Sequence, residues 1–343
     1  MTVLFVGTFL SEKTGTKAVA EKLAAQFEAE GRLRPILASR HHSLLFRAVD
    51  IFWAALFGRF EVANIDVFSS KAFHFAWLAG HLLHWRKKPF LLTLRGGRLA
   101  EFSEDAPLRI HSLFSKAVRV QTPSLFLQEH FKKQGWAVKY LPNPLDLSQF
   151  KPLAPSIERK AQTLLWVRAF SEIYHPEIPV QVLGLLLVDF PEATLTMVGP
   201  DKGSLNKTKK LIAELGIAEK VQIVGAVPND DLPIYYQTHT VYLNTTAYES
   251  FGVAVAEAAA CGLPVVSSNV GEIPYLWRDG EEILLAEQFN AEAFAAQVRR
   301  VFEQPLFAKA LGEKAARRAQ EFDFQTIKEK WEGILKSLPE HRP

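Results

Sequence analysis

The sequence predicts an α/β protein of two tandem open-sheet domains, and three observations carry that prediction. Short apolar runs alternate with amphipathic stretches along nearly the whole chain, and strands alternating with helices give parallel sheets covered on both faces. The alternation comes in two series separated by PNPLDLSQFKPLAP (142–155), whose four prolines and lack of helical period mark an interdomain connection. The length of 343 residues favours two domains of about 150 residues over one.

In the first series VLFVG (3–7) reads as a strand, followed by a helix over about 15–30, LRPILA within 32–38, a helix over about 42–58 and IDVFS (65–69). A helix near 72–85, the strands FLLTL (90–94) and AVRVQ (117–121), a helix near 124–134 and VKYL (138–141) complete it. The second series runs TLLWV (163–167), a helix over about 177–188, LTMVG (195–199), a helix near 204–215, VQIVG (221–225), VYLN (241–244) and PVVSS (264–268). FDFQTIKEKWEGILKSL (322–338) reads as one amphipathic helix. The expected domains are therefore residues 1–150 and 156–321, with the helix of 322–343 packing back on the first. Tandem open sheets place ligands at the carboxyl ends of their strands, so the active site is expected in a crevice between the two domains.

Composition narrows the classes. At 48% hydrophobic and 22% charged residues the chain is an ordinary globular one rather than disordered or collagenous. Cys261 is the only cysteine, which rules out an internal disulfide or a cysteine cage and fits a cytoplasmic setting. The start, MTVLFVGTFLSEK, lacks the basic region of a signal peptide and reads as a strand. Charges, His, Pro or Gly interrupt the apolar stretches before they reach the roughly 18–20 residues of a spanning helix. Residues 1–150 hold 20 Lys+Arg against 12 Asp+Glu, whereas 151–343 hold 20 against 25. A basic half points to nucleic acid, an anionic membrane or anionic ligands; no zinc-finger spacing or basic run interleaved with aromatics supports nucleic acid. HHSLLFRAVDIFWAALFGRF (41–60) leaves two readings open, a helix packed on the first sheet or a helix resting on an anionic membrane.

The chemistry concentrates in YESFGVAVAEAAACGLPVVSSNVGEIPYL (248–276). Ser250 is placed to cap a helix whose body is VAVAEAAAC. Gly262 supplies a left-handed stop, and Pro264 forbids continuation. Gly252 leaves the helix start open, so free N–H groups and the positive dipole end make an anion site. Glu249 and Glu257 flank it about two turns apart. Amides for phosphate oxygens and carboxylates for hydroxyls suit a sugar nucleotide.

E-S-F-G-x-x-x-x-E followed by A-x-A-C-G-x-P-V-V resembles the E-x7-E signature of retaining glycosyltransferases, and on these residues the chain resembles glycosyltransferase family 4 enzymes of the GT-B fold. The likeness continues through VQIVGAVPNDDLPIYYQ (221–237) and VGEIP (270–274), and more weakly through LPNPLDLSQF (141–150), LTLRGG (92–97) and Thr14-Gly15-Thr16. It implies that Glu249 meets the donor sugar's hydroxyls and Glu257 the nucleotide ribose, with Ser250, Phe251, Gly252 and Val253 at the diphosphate through the helix start. Arg168 matches the arginine that stabilises the departing diphosphate, a role suited to a permanent planar cation. Gly225 matches the loop beside the base, and Gly15 the glycine where the first-domain loop approaches donor phosphate.

The chain departs from that pattern in two places. Val167 stands where the family has glycine before the arginine, and SEIYHPEI (171–178) contains no lysine, so one leaving-group cation is missing; Lys202 in VGPDKG is the candidate replacement. Arg95, in Thr93-Leu94-Arg95-Gly96, occupies the position of a histidine near the donor sugar and joins Glu249 and Arg168 as a candidate catalytic residue. No D-x-D metal signature stands out, and Asp230-Asp231 reads as helix-start capping, so no essential metal and no cofactor is expected. The ten histidines show no metal-ligand spacing.

The expected function is a retaining, metal-independent glycosyltransferase that takes a nucleoside-diphosphate-sugar donor. Its expected acceptor is a glycan or lipid-linked molecule, in cell-surface polysaccharide synthesis, in the cytoplasm or on the inner face of the membrane. The alternatives are a sugar-nucleotide isomerase or phosphorylase on the same fold, and a relative that binds donor without turnover.

Overall fold

The computed structural model describes residues 1–9, 18–39, 43–96, 98–153 and 159–338. Gly15 lies outside the described residues. The chain divides into two compact units, Met1–Pro144 with Gln325–Pro343, and Leu145–Phe324.

Unit 1 carries a parallel six-stranded sheet of β1 (Thr2–Val6), β2 (Arg34–Ala38), β3 (Val62–Val67), β4 (Phe90–Leu94), β5 (Arg119–Thr122) and β6 (Val138–Tyr140), in the order β2-β1-β3-β4-β5-β6. The central strands β3 and β4 are buried at every position, whereas β2 begins with exposed Arg34 and half-buried Pro35, a composition suited to an edge. Its crossovers are α1 (Val19–Ala29), α2 (Leu44–Phe57), α3 (Phe73–Trp85), α4 (Leu99–Asp105), α5 (Pro107–Phe114) and α6 (Leu125–Lys133). Leu4, Ile65, Leu92, Phe73 and Phe131 lie among its core residues.

Unit 2 carries a second parallel sheet of β7 (Thr163–Val167), β8 (Thr194–Val198), β9 (Val221–Gly225), β10 (Val241–Asn244), β11 (Val265–Ser268) and β12 (Leu284–Ala286), in the order β12-β11-β10-β7-β8-β9. The chain runs outward from β7 through β8 to β9, then returns to the other side of β7 with β10. β7 and β10 therefore flank the topological switch point, where open sheets of this kind bind ligands at their carboxyl edge. Its helices are α7 (Glu177–Leu186), α8 (Leu205–Glu214), α9 (Leu232–Thr238), α10 (Val253–Ala260), α11 (Ile273–Leu276), α12 (Ala291–Glu303) and α13 (Pro305–Ala319).

The last helix, α14 (Phe324–Ser337), returns to unit 1 from Gln325 onward. Buried Lys328 donates from Nζ to both Glu30 carboxylate oxygens, at 2.9 and 2.8 Å, which fastens this helix beside the end of α1. No helix among the described residues is long and apolar enough to cross a membrane.

Candidate functional site

Local sequence sets the geometry at the carboxyl edge of the unit 2 sheet. β7 ends at Val167, and the Arg168 N–H donates to Val198 C=O at 3.0 Å; the Gly199 N–H in turn donates to Gly225 C=O at 2.8 Å. These bonds tie the ends of β7, β8 and β9 together. Gly199, at φ +149°, is packed so closely that a Cβ there would lie 1.8 Å from the Arg168 carbonyl oxygen. Only glycine at this strand end lets the backbone carrying Arg168 sit where it does.

The Arg168 side chain crosses the switch point. Its Nη2 donates to Asn244 Oδ1 at 3.2 Å, at the end of β10, and pairs with Glu249 Oε2. Asn244 is itself held by donation from Nδ2 to Ser267 Oγ at 2.9 Å, and the guanidinium lies 5.3 Å from the centre of the Tyr174 ring. Arg168 and Glu249 side chains are only 14% and 11% exposed. Burial works against the arginine's charge, but nearby Tyr242 and the Glu249 carboxylate outweigh it and raise its pKa. The Arg168 Nε–H is buried and has no hydrogen-bond acceptor among the described residues. A buried unused donor costs about 1–3 kcal/mol, which a ligand oxygen would offset.

The Glu249 backbone is clamped from behind. Gly271, at φ +56°, approaches so closely that a Cβ would lie 2.0 Å from Glu249 O, and the Glu272 N–H donates to that oxygen at 2.9 Å. After Glu249 the chain enters α10 through Gly252, which occupies the left-handed region at φ +84° and is the N-cap residue. This corrects the expectation that Ser250 caps the helix. Ser250 is exposed and lies two residues too early, because the left-handed step at Gly252 delays the helical backbone until Val253. The helical ladder opens with Ala256 N–H donating to Gly252 C=O at 2.9 Å, which leaves the preceding amides of the first turn without an intrahelical acceptor. Phe251 turns its ring inward, 5.3 Å from Phe322, so only its backbone is available beside the helix start.

Glu257 lies on the same helix, is also buried, and accepts from Tyr236 Oη at 3.1 Å. Burial first, and the Glu257 charge second, push the Tyr236 phenol well above its ordinary range, so it stays a donor to that carboxylate. Gly225 lies at φ +86° with open space where a Cβ would stand. Lys202 is exposed, and its backbone N–H donates to Phe170 C=O at 3.0 Å, placing it on the loop beside the Arg168 strand end.

Unit 2 thus brings together Arg168 and Glu249 directly, with the start of α10 adjoining them; Glu257 pairs instead with Tyr236. Arg95 belongs to unit 1. Its Nε lies 2.8 Å from Asp66 Oδ1, an ion pair whose N–H is not aligned as a hydrogen bond, and its Nη1 donates to Asn143 Oδ1 at 2.7 Å. Behind it a buried polar row crosses β3, β4 and β5: Thr93 Oγ1 donates to Asn64 Oδ1 at 2.7 Å, and Gln121 Nε2 to Thr93 Oγ1 at 3.3 Å. Motif reading overlooks Asn244, Tyr236, Gly199 and Gly271; the glycine ending LTMVG and the tyrosines of LPIYYQT are the signals that point to two of them. Among the described residues no group of three or more His, Cys, Asp or Glu is arranged to hold a metal ion.

Residues 152–318 match the family model for glycosyl transferases group 1. The chain is 31% identical over 155 residues to the D-inositol 3-phosphate glycosyltransferase of Streptomyces bingchenggensis, covering 43% of this chain and 34% of that protein. With its Streptomyces avermitilis counterpart the identity is 26% over 216 residues, covering 58% and 47%. The aligned chain therefore spans between a third and a half of the length of these curated relatives. Among solved structures, a glycosyltransferase from Rickettsia africae superposes with a TM-score of 0.77 at 18% identity, over 98% of each chain. The Anabaena HepE protein in complex with UDP does so at 0.76 and 17%, over 98% of this chain and 100% of that one. Two parallel six-stranded sheets in this order and these superpositions make the fold GT-B, and residues 152–318 are the part of the chain similar to the glycosyl transferases group 1.

Proposed function

We propose that the chain is a retaining, metal-independent glycosyltransferase that moves a sugar from a nucleoside-diphosphate-sugar donor to a glycan or lipid-linked acceptor in cell-surface polysaccharide synthesis. The observation that carries the reading is the Arg168 guanidinium, anchored through Nη2 on Glu249 and Asn244 while its Nε–H has no acceptor among the described residues. The amide-rich start of α10 adjoins it. A cation and free amides answer the negative charge that grows on a departing diphosphate, and preorganised donors of this kind act where charge develops in the transition state. The pairing of Glu249 with Arg168 fixes that carboxylate beside the leaving group, where it orients the donor sugar. Glu257, fixed by Tyr236, receives the ribose hydroxyls. Lys202, exposed on the neighbouring loop, supplies the second cation at the diphosphate. Unit 1 recognises the acceptor, Arg95 serves an anionic group there, and its basic surface keeps the enzyme peripheral at a membrane. UDP in the HepE structure makes uridine the first base to try.

A thermal-shift panel of nucleoside diphosphates and their sugars is the opening test. A cognate ligand at 100 times its Kd adds about 2.7 kcal/mol. With the donor identified, Arg168→Ala should lower the transfer rate by about 10²-fold or more, and Lys202→Ala should slow turnover more than it weakens nucleoside binding. Unchanged kinetics in Arg168→Ala would refute the assignment. Donor binding with neither transfer nor slow hydrolysis in the wild type would favour a binding-only relative.

A further inference from the structure

Helix α2 of unit 1 is built the wrong way round for a helix in water. Its only charged residues are Arg47 and Asp50, and both are spent inward. Arg47 donates to Ser39 Oγ at 2.8 Å and Thr8 Oγ1 at 3.0 Å and stands over the Phe75 ring, while Asp50 accepts from the Ser39 N–H at 2.5 Å. The outward face is Leu45, Phe46, Val49, Phe52, Trp53 and Phe57, with Leu45, Trp53 and Phe57 70%, 57% and 59% exposed. A surface helix ordinarily buries its apolar stripe and shows its charges; α2 fully buries only Ile51 and Ala55. Scattered exposed apolar residues are ordinary, but a contiguous apolar face marks an interaction surface.

The rim of this face is basic. Arg86, just after α3, donates from Nη1 to Ala55 C=O at 2.7 Å and Gly58 C=O at 3.2 Å, and Lys88 Nζ donates to Phe60 C=O at 3.0 Å. These bonds tie the carboxyl ends of α2 and α3 together. They bring Trp85, 74% exposed, and exposed Lys87 close to the last turn of α2, where exposed Arg59 follows. Residues 43–98 hold eight Lys+Arg and three Asp+Glu. Of the acids Asp50 is turned inward, Asp66 is buried against Arg95, and Glu61 accepts from the Thr2 N–H.

We infer that the outward face of α2, with Trp85, Arg59 and Lys87 at its rim, lies in the headgroup layer of an anionic lipid bilayer. Leucine and aromatic side chains on one face with basic residues at the water line form the composition of an interfacial helix, and each basic residue near such a surface adds electrostatic attraction to anionic headgroups. A second copy of the chain would cover the apolar face but set two basic rims against each other. The bilayer satisfies both features. This deepens the proposed peripheral membrane setting by naming the surface that touches lipid.

The test is flotation of the full chain with phosphatidylglycerol-containing vesicles and with pure phosphatidylcholine vesicles at low salt, with tryptophan emission read in parallel. The wild type should float with the anionic vesicles and shift its emission to the blue. Arg59→Glu with Lys87→Glu, and separately Trp53→Ser with Phe57→Ser, should each lower partitioning by at least about tenfold with unchanged circular dichroism. If the apolar pair fails to fold, the charge pair decides alone. No binding to anionic vesicles, or equal binding by the charge pair, overturns the inference, as does light scattering showing a dimer that Trp53→Ser with Phe57→Ser dissociates. Donor hydrolysis in solution separates this outcome from the glycosyltransferase reading. Failure to float with hydrolysis intact removes only the membrane face, whereas absence of hydrolysis in every form removes only the catalytic reading.

Discussion

Gly271 gives the sharpest test of how the backbone holds Glu249. In Gly271→Ala the new Cβ meets Glu249 O at 2.0 Å and Glu249 C at 2.9 Å. Relaxed heavy-atom contacts begin near about 3.5 Å, so the Glu249 segment must retreat by more than about 1 Å. The left-handed φ of +56° adds about 1–2 kcal/mol for a residue with a Cβ, and weakening the Glu272 N–H to Glu249 C=O bond adds about 1 kcal/mol. The expected destabilisation is thus about 2–3 kcal/mol, which for a unit of about 150–250 residues corresponds to a fall in Tm of roughly 4–12 °C. Because Glu249 also anchors Arg168, a misplacement of about 1 Å should cost about 10²-fold in turnover. Gly216→Ala, outside the candidate site, is the matched control: its φ of +67° carries a similar backbone cost, but nothing lies within 4 Å of the added carbon. Calorimetric Tm and nucleoside-diphosphate affinity measured on both variants decide the matter. If Gly271→Ala is no more damaging than Gly216→Ala in either readout, the clamp on Glu249 is not what positions the site.

Two further outcomes follow from one half-buried and one buried titrating group. Burial, opposed by the hydrogen bond to Tyr235 C=O, holds His239 below its ordinary pKa, so the folded protein binds fewer protons there than the unfolded chain. Its contribution is therefore undiminished above about pH 6.5 and turns against stability as pH falls below that value; the urea midpoint of His239→Gln should drop less between about pH 7.5 and 5.5 than that of the wild type, and equal drops refute this. Burial pushes the Cys261 thiol up to about 12, so thiol reagents at about pH 8 should label it only in denaturant, and stoichiometric labelling of the native protein would contradict its packing role.

The strands were legible because parallel sheets bury both faces of their central strands: FLLTL, TLLWV and VYLN coincide with β4, β7 and β10. Periodicity leaves 277–321 unassigned. β12 has three residues, too few to show an alternation, and α13 opens at Pro305 directly after α12, so one amphipathic pattern runs into the next. The short α4 and α5 escape for a related reason, because Pro107 splits the segment into helices of seven and eight residues. At the candidate site, the sequence pattern puts the helix body VAVAEAAAC where α10 lies. It misplaced the cap because Gly252 adopts a left-handed φ that sequence pattern does not announce. Asn244 and Gly271 act through contacts across strands and loops distant in sequence, which only the folded register supplies.

The return of the final helix to unit 1 has a consequence for biosynthesis. Lys328 and Glu30 lie nearly 300 positions apart, so during translation the first sheet waits with one flank unfinished while everything after Leu145 emerges. Unit 2, contiguous in sequence, has its full complement of strands before the ribosome delivers α14. The half translated second is therefore the first able to close, and the half begun first is sealed last.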